Sequence, residues 1–480
     1  MPKTIRVLLT GYEAAPFYKR GGLGDVLGSL PKALIQIGID ARVVIPCYEE
    51  IRKNLSAKRI GKFKIHFGEK EEEIGIYRNA GTPRVYFLSN SSNLSYLNTR
   101  GRNKKIEQFA FFDLAVVHFV TWLSKQRQWN PSVIHCNDWH TGLIPLIFRN
   151  KTKLPIPTLL TIHNLSYQGF GSLKVLDLLH IKDEDAKEIK RGMKVTEINI
   201  LGEGILHASS VSTVSKTYAR EITDEKNEGP IYAYVKKREE TLGRSRAIVG
   251  ILNGIDYDVW SPQNDSAIFH TYNVANWQSG KEKNKKKMLN SLDLEPRLTF
   301  CFIGRMASQK GLDILVRVTK HIVNNNANLI ILGSGAPNIE KSIRKLVARY
   351  SSHMRVEFAY NEDFAHKLYA SSDFIIIPSR FEPCGLIQMI AMSYGTIPIA
   401  SRTGGLKDSI KNNRNGFLFE NGSVLSLKKA IKRAVKRFHD EARYGKMVVN
   451  AMNTDFSWKR SARLYKKLYQ NMLLQHNVTH

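Results

Sequence analysis

The sequence predicts an α/β protein of two doubly wound domains facing each other across a central cleft. Short β-branched runs alternate with longer amphipathic stretches, the pattern of βα units on a parallel sheet. That pattern runs to about Val214 and restarts near Leu298, so it is laid down twice. The length of 480 residues exceeds one ordinary hydrophobic core.

In the first half, strands are expected at Ile5–Thr10, Ala41–Pro46, Val133–Cys136, Thr158–His163 and Ser209–Val214, with helices over Val26–Ile37 and Phe109–Lys125. The second set is Leu298–Ile303, Asn328–Leu332, Met354–Phe358, Phe374–Pro378 and Thr396–Ala400. Between the sets, Asn253-Gly254-Ile255-Asp256 opens a polar stretch reaching about Pro296, where a hinge is expected. After Asp455-Phe456-Ser457-Trp458 comes an amphipathic helix, Lys459–Leu474. The expected division is residues 1–250, residues 251–458, and a terminal segment 459–480 packing back on the first domain. Ligands of such domains sit where the carboxyl ends of the strands converge.

Composition narrows the function. Lys and Arg number 72 against 43 Asp and Glu, a net charge of +29. The cations are spread along the chain, as in Lys281–Lys287 and Lys428–Lys436, with no nucleic-acid motif beside them. A solvated basic surface is the ordinary reading, attraction of an anionic substrate can accompany it, and nucleic acid is not expected as a partner. No apolar run reaches the roughly 18 residues of a spanning helix, so no membrane is expected. The opening Met1-Pro2-Lys3-Thr4 lacks the zones of a signal peptide, and the scattered Cys47, Cys136, Cys301 and Cys384 suggest neither a zinc site nor disulfides. A cytoplasmic setting fits, or a plastid where a transit peptide has been removed.

The first strand leads through Gly11-Tyr12-Glu13 to Lys19-Arg20-Gly21-Gly22-Leu23-Gly24-Asp25 and a helix. Glycines there let backbone N–H groups approach a phosphate, with Lys19 adding charge. The turn alone is a weak signal, with neither the NTPase nor the dinucleotide spacing. Gly304-Arg305-Met306-Ala307-Ser308-Gln309-Lys310-Gly311 repeats the theme with two cations five apart, suited to a pyrophosphate. Phe381-Glu382-Pro383-Cys384-Gly385-Leu386 places a carboxylate before a helix expected to begin near Gly385, a combination that holds sugar hydroxyls and phosphate oxygens together. With no histidine nearby in sequence, Cys384 reads as a buried structural thiol. His135 and His140 bridge a strand and a loop without the metalloprotease glutamate, and Asp183-Glu184-Asp185 lies in a charged helical stretch. Neither reads as a metal site.

Seven motifs stand in one order: Lys19-Arg20-Gly21-Gly22-Leu23, Asn137-Asp138-Trp139-His140-Thr141-Gly142-Leu143, His163-Asn164-Leu165-Ser166-Tyr167-Gln168-Gly169, Asn253-Gly254-Ile255-Asp256, Ser308-Gln309-Lys310-Gly311, Phe381–Leu386 and Thr403-Gly404-Gly405-Leu406. From about Ile5 to Trp458 the chain resembles the ADP-glucose-type glycogen and starch synthases. These are retaining glycosyltransferases with two Rossmann-like domains in the GT-B architecture. The resemblance implies transfer of glucose from ADP-glucose to the non-reducing end of an α-1,4-glucan. Arg305 and Lys310 would neutralise the diphosphate, and Glu382 would bind the glucose hydroxyls. Asp138, His163 and Asn253 would flank the sugar, and Tyr360 would stack on adenine. Gly22, with Lys19 nearby, and Gly404-Gly405 would approach the phosphates through backbone N–H groups, while Cys384, Gly385, Leu386 and Thr403 complete the donor loops. Neither metal nor cofactor is expected.

The chain also departs from the family pattern. Asn199-Ile200-Leu201-Gly202-Glu203-Gly204 has glycine where relatives usually carry lysine. Lys104-Lys105-Ile106-Glu107-Gln108-Phe109 replaces an Asp-Asn-x-x-Arg-Phe segment, and Ile387 stands where threonine is common. Two other readings therefore stay open: a related retaining transferase with another nucleotide sugar or acceptor, and a catalytically weak glucan-binding relative.

Overall fold

The computed structural model describes residues 4–53, 56–95, 101–126, 129–182, 184, 186–187, 189, 197–224, 229–243, 248–359 and 361–479. The chain divides into two compact units. One comprises residues 1–214, 219–251 and 458–480, the other residues 215–218 and 252–457.

The strands of the first unit are β1 (Arg6–Thr10), β2 (Asp40–Pro46), β3 (Ala57–Phe67), β4 (Lys70–Asn79), β5 (Arg84–Ser89), β6 (Val133–Asn137), β7 (Thr158–Ile162), β8 (Phe170–Ser172), β9 (Glu197–Asn199), β10 (Ser210–Thr213) and β11 (Val249–Gly250). Nine form one sheet in the order β11-β10-β7-β6-β1-β2-β5-β4-β3, and β8 pairs with β9. The strands from β11 to β5 run parallel, whereas β3, β4 and β5 pair antiparallel. The parallel strands read as apolar runs because helices cover both faces of such a sheet. The helix Gly22–Gln36 and the closing helix Trp458–Thr479 share one core, with Leu27, Leu30 and Leu34 against Trp458, Tyr465 and Tyr469. Burying each large apolar side chain contributes about 1.5–3 kcal/mol. The Tyr469 hydroxyl also meets His135 Nδ1 of β6 at 2.8 Å.

The helix Arg102–Lys125 is long and apolar enough to cross a membrane by composition, yet 78% of that stretch is buried inside the protein. It is a core helix, and it begins before Phe109, taking in the Lys104–Phe109 segment.

The second unit holds β12 (Leu298–Ile303), β13 (Ala327–Leu332), β14 (Met354–Glu357), β15 (Phe374–Ile377), β16 (Ile397–Ser401) and β17 (Phe417–Phe419), all parallel in the order β14-β13-β12-β15-β16-β17. The polar stretch from Asn253 to about Pro296, where the second domain was expected to start, lies within this unit, whose main segment begins at Leu252, and it contains the helix Trp277–Ser291. Within that helix Lys281 is a buried anchor. The Lys281 ammonium donates to the Tyr369, Ala370 and Tyr394 carbonyls and to Thr396 Oγ1 at 2.8–3.3 Å.

Candidate active site

Each sheet has one point where successive strands turn to opposite sides, between β1 and β6 in the first unit and between β12 and β15 in the second. Loops leaving the carboxyl ends of those strands diverge there and leave a crevice for a ligand. Of the sequence-derived site residues, Lys19, Gly22 and Asp138 follow β1 and β6, and Arg305, Lys310 and Glu382 to Leu386 follow β12 and β15, while His163, Asn253 and Thr403 to Gly405 follow the other strands β7, β11 and β16.

In the second unit, β12 leads through Gly304 to Arg305, and a single 3-10 turn, Ser308–Lys310, brings Lys310 toward the end of β15. Gly311 closes the turn at φ 66°, where a Cβ would stand 1.9 Å from the Pro378 carbonyl oxygen, so only glycine lets the two loops meet. Lys310 Nζ then lies 2.6 Å from Glu382 Oε2, and the buried Ser379 hydroxyl donates to the same oxygen at 3.0 Å. Arg305 is exposed and has no ion-pair partner among the described residues. Gly404 and Gly405 press on the Glu382 loop, where Cβ atoms would come within 2.0 Å of the Glu382 and Cys384 carbonyls, and the Gly405 N–H donates to the Glu382 carbonyl at 3.0 Å. Thr403 is the buried residue preceding that glycine pair.

Gly385 takes φ 70°, and the short helix after it starts at Ile387, with Leu386 as its cap, rather than at Gly385. Burial pushes the Cys384 thiol up to about 12, partly offset by the Asn253 backbone N–H, so it is a protonated structural thiol. Asn253 is buried, and its Oδ1 has no hydrogen-bond partner among the described residues. Tyr360 lies outside the described residues, as do Asp183 and Asp185.

In the first unit, the Asn137 side chain ties the ends of β1 and β6, donating to the Thr10 carbonyl at 2.9 Å. Its Oδ1 accepts from His163 Nε2 at 2.9 Å, which fixes the proton on Nε2 of the neutral ring. Burial lowers His163 to about 3, so the ring stays neutral. Asp138 stands at φ 58°, and its Oδ1 accepts the His163 and Asn164 backbone N–H groups at 2.7 and 3.3 Å. Burial lifts its carboxyl to about 7 against those two hydrogen bonds, with the Glu13 charge adding to the rise. Lys19 pairs with Asp25 at 2.8 Å, and Gly22 is open, with nothing near the site of a Cβ.

His135 and His140 do not converge. His135 is enclosed by Tyr469 and Thr161, and His140 stacks between Tyr12 and Trp139 at 3.9 and 4.2 Å. No group of three or more His, Cys, Asp or Glu among the described residues is arranged to hold a metal ion.

Sequence reading missed three residues that shape these points: Glu13, Asn137 and Ser379. Glu13 had a signal, a lone acidic residue in the apolar run after β1; its contacts depend on how the next loop folds back. Ser379 had none.

Paired doubly wound sheets of this kind are the architecture of the GT-B glycosyltransferases, and the matches to known proteins fall there. The family model described as the starch synthase catalytic domain matches residues 6–236, and that described as glycosyl transferases group 1 matches residues 284–448. A glycogen synthase of Clostridium botulinum is 37% identical, with 98% of this chain and 99% of that protein covered. One from Thermodesulfovibrio yellowstonii is 36% identical, with 98% of each covered. The chain belongs to the glycogen and starch synthase family. Among solved structures, the catalytic domain of starch synthase IV from Arabidopsis thaliana, bound to ADP and acarbose, matches with a TM-score of 0.87 at 29% identity, covering 98% of this chain and 100% of that one.

Proposed function

We propose that this enzyme extends an α-1,4-glucan at its non-reducing end with glucose from ADP-glucose, retaining the anomeric configuration. The observation that carries the reading is the Lys310–Glu382 pair at the switch point of the second sheet, with Arg305 on the same strand-end loop and Gly404-Gly405 pressed beneath. The similar structure that binds ADP and acarbose supports a nucleotide and a glucan-like saccharide as ligands.

In this reading Arg305 and Lys310 neutralise the diphosphate, and Glu382 orients the glucosyl ring through its hydroxyls. The bond from the anomeric carbon to phosphate breaks, its electron pair leaves with ADP, and the acceptor 4-hydroxyl forms the new bond on the same face. The acceptor's proton passes to the departing phosphate oxygen. Charge grows on that phosphate in the transition state, so fixed cations and N–H groups are the main catalytic contribution. His163, neutral above about pH 3, donates and accepts hydrogen bonds without carrying charge. The two cations take the part a metal plays in other transferases, so added EDTA leaves the rate unchanged. The four cysteines are free and buried, which suits a reducing cytoplasm.

The test is transfer of radiolabelled glucose to glycogen from ADP-glucose and from UDP-glucose. Preference for ADP-glucose, with label released from the non-reducing end by β-amylase as maltose, supports the reading. Equal or better use of UDP-glucose, or no transfer to glycogen, overturns it.

A further inference from the structure

Glu13 is fully buried at the end of β1, and no lysine, arginine or histidine forms an ion pair with it among the described residues. The nearby Arg20 guanidinium turns away, donating to the Tyr18 hydroxyl at 2.6 Å. The Glu13 carboxylate instead takes backbone donors. Its Oε2 accepts the N–H groups of Arg20 and Gly21, the latter at 2.9 Å, while Oε1 is buried without a hydrogen-bond partner among the described residues. Tyr12 is beside it, its phenol ionisation suppressed by burial, then by the Glu13 charge and by the approach of its hydroxyl to the Glu13 carboxylate, which falls short of a well-formed hydrogen bond to Oε1. A buried carboxylate with one oxygen unpaired costs several kcal/mol relative to an apolar side chain of similar volume. An apolar side chain of similar volume would fill the same space but leave the Arg20 and Gly21 N–H groups without this acceptor.

We infer that Glu13 is a positioning residue for the donor, holding the Arg20–Gly21 backbone so that the next N–H group, that of Gly22, points at the donor. This rests on the proposed use of ADP-glucose. Two adjacent N–H groups bound to one oxygen fix the peptide planes on either side of Arg20, immediately before the Gly21–Gly22 peptide. The loop is thereby set before ligand arrives, which lowers the ordering cost of binding. Gly21 is extended at φ −156°, and a Cβ there would stand 3.4 Å from Glu13 Oε1. An alanine is therefore sterically allowed at that position and crowds only the unpaired oxygen.

The experiment pairs Glu13→Gln, which keeps the shape and removes the charge, with Gly21→Ala, which keeps the charge. Steady-state kinetics with each substrate varied separately should show KM for ADP-glucose raised about 10-fold in Glu13→Gln and about 3-fold in Gly21→Ala, with KM for glycogen within about 2-fold of wild type. A merely structural carboxylate would lower Tm and leave that selectivity absent. Wild-type KM for the donor in either folded variant overturns the inference, and Gly21→Ala decides should Glu13→Gln not fold. Amide hydrogen exchange at Arg20 and Gly21, read without substrate, should be about 10-fold faster in Glu13→Gln. Unchanged exchange defeats the positioning role whatever the donor proves to be. Failure of the wild type to use ADP-glucose instead defeats the functional reading on which the role rests.

Discussion

At the switch point of the second unit, polar groups are charged and paired on strand-end loops, Lys310 against Glu382 at 2.6 Å and Arg305 open to solvent. At that of the first unit, Asp138 and His163 are half-buried and Glu13 is fully enclosed, with no ion pair to any of the three among the described residues. His163 is neutral, Asp138 is pushed up to about 7, and Glu13 is enclosed with one oxygen unpaired. One arrangement suits a ligand that brings both an anion and hydroxyls, because Lys310 then exchanges one anionic partner for another while Glu382 keeps the Ser379 hydroxyl and gains new donors. The other suits a neutral ligand rich in hydroxyls, which needs fixed donors and acceptors more than field strength.

The largest break in that contrast comes from removing the carboxylate. Glu382→Ala should fold, with a Tm within a few degrees of wild type, and lose kcat by about 100-fold or more in the glycogen transfer assay. Near-normal kcat would show that the sugar is oriented elsewhere. Next come the cations. Lys310→Gln should reduce kcat/KM about as much as Lys310→Ala, each by about 10- to 100-fold, since charge and not reach is what a diphosphate needs. Arg305→Ala belongs in the same range. A glutamine that restores most activity would recast the pair as a hydrogen-bonding site.

How legible these two regions were in the sequence follows from the same physics. Leu298–Ile303 was expected at its full extent because a strand buried on both faces is a continuous apolar run ending in a glycine. The antiparallel strands β3 to β5 were not foreseen. Their outer faces carry Lys62 and Lys64 paired across strands with Glu73 and Glu71, so the mean composition reads as loop. The cations and Glu382 were legible because charged groups at strand ends have few structural uses. The roles of Asn137 and Glu13 were not, since both act through backbone or neighbouring side chains distant in sequence.

The pH dependence of stability sharpens the first unit's half of the comparison. The folded Asp138 carboxyl titrates near 7, against an ordinary 3.8 once unfolded, so between those values the folded state holds the extra proton. Its contribution therefore falls as pH rises through that window, by about 4 kcal/mol at most. His135 and His163, both near 3 when folded against 6.5, act oppositely, adding stability as pH rises toward 6.5. Urea midpoints measured from pH 4 to 8 should rise more steeply for Asp138→Asn than for wild type up to about 6.5, then level off. Parallel curves would place the Asp138 carboxyl in water.

The smallest expected effect concerns Gly202, where the family usually has lysine. The buried Tyr234 ring fills the space, 2.5 Å from where a Cβ would stand, and its ionisation is suppressed by burial and by the adjoining Glu203. Gly202 lies within the helix Ile200–His207, so alanine gains about 1 kcal/mol in helix propensity. A close-packed ring that must move costs about 1–3 kcal/mol, and the steric cost should win. Gly202→Ala should therefore unfold at lower urea, and adding Tyr234→Leu should recover part of the loss, a coupling read from the double-mutant cycle. Transfer per folded molecule should stay within about 3-fold, because Gly202 packs on a buried ring of the helix Pro230–Leu242 and touches neither Asp138 nor His163. An alanine variant more stable than wild type would mean that the ring moves freely and that tyrosine does not fill the place of the missing lysine.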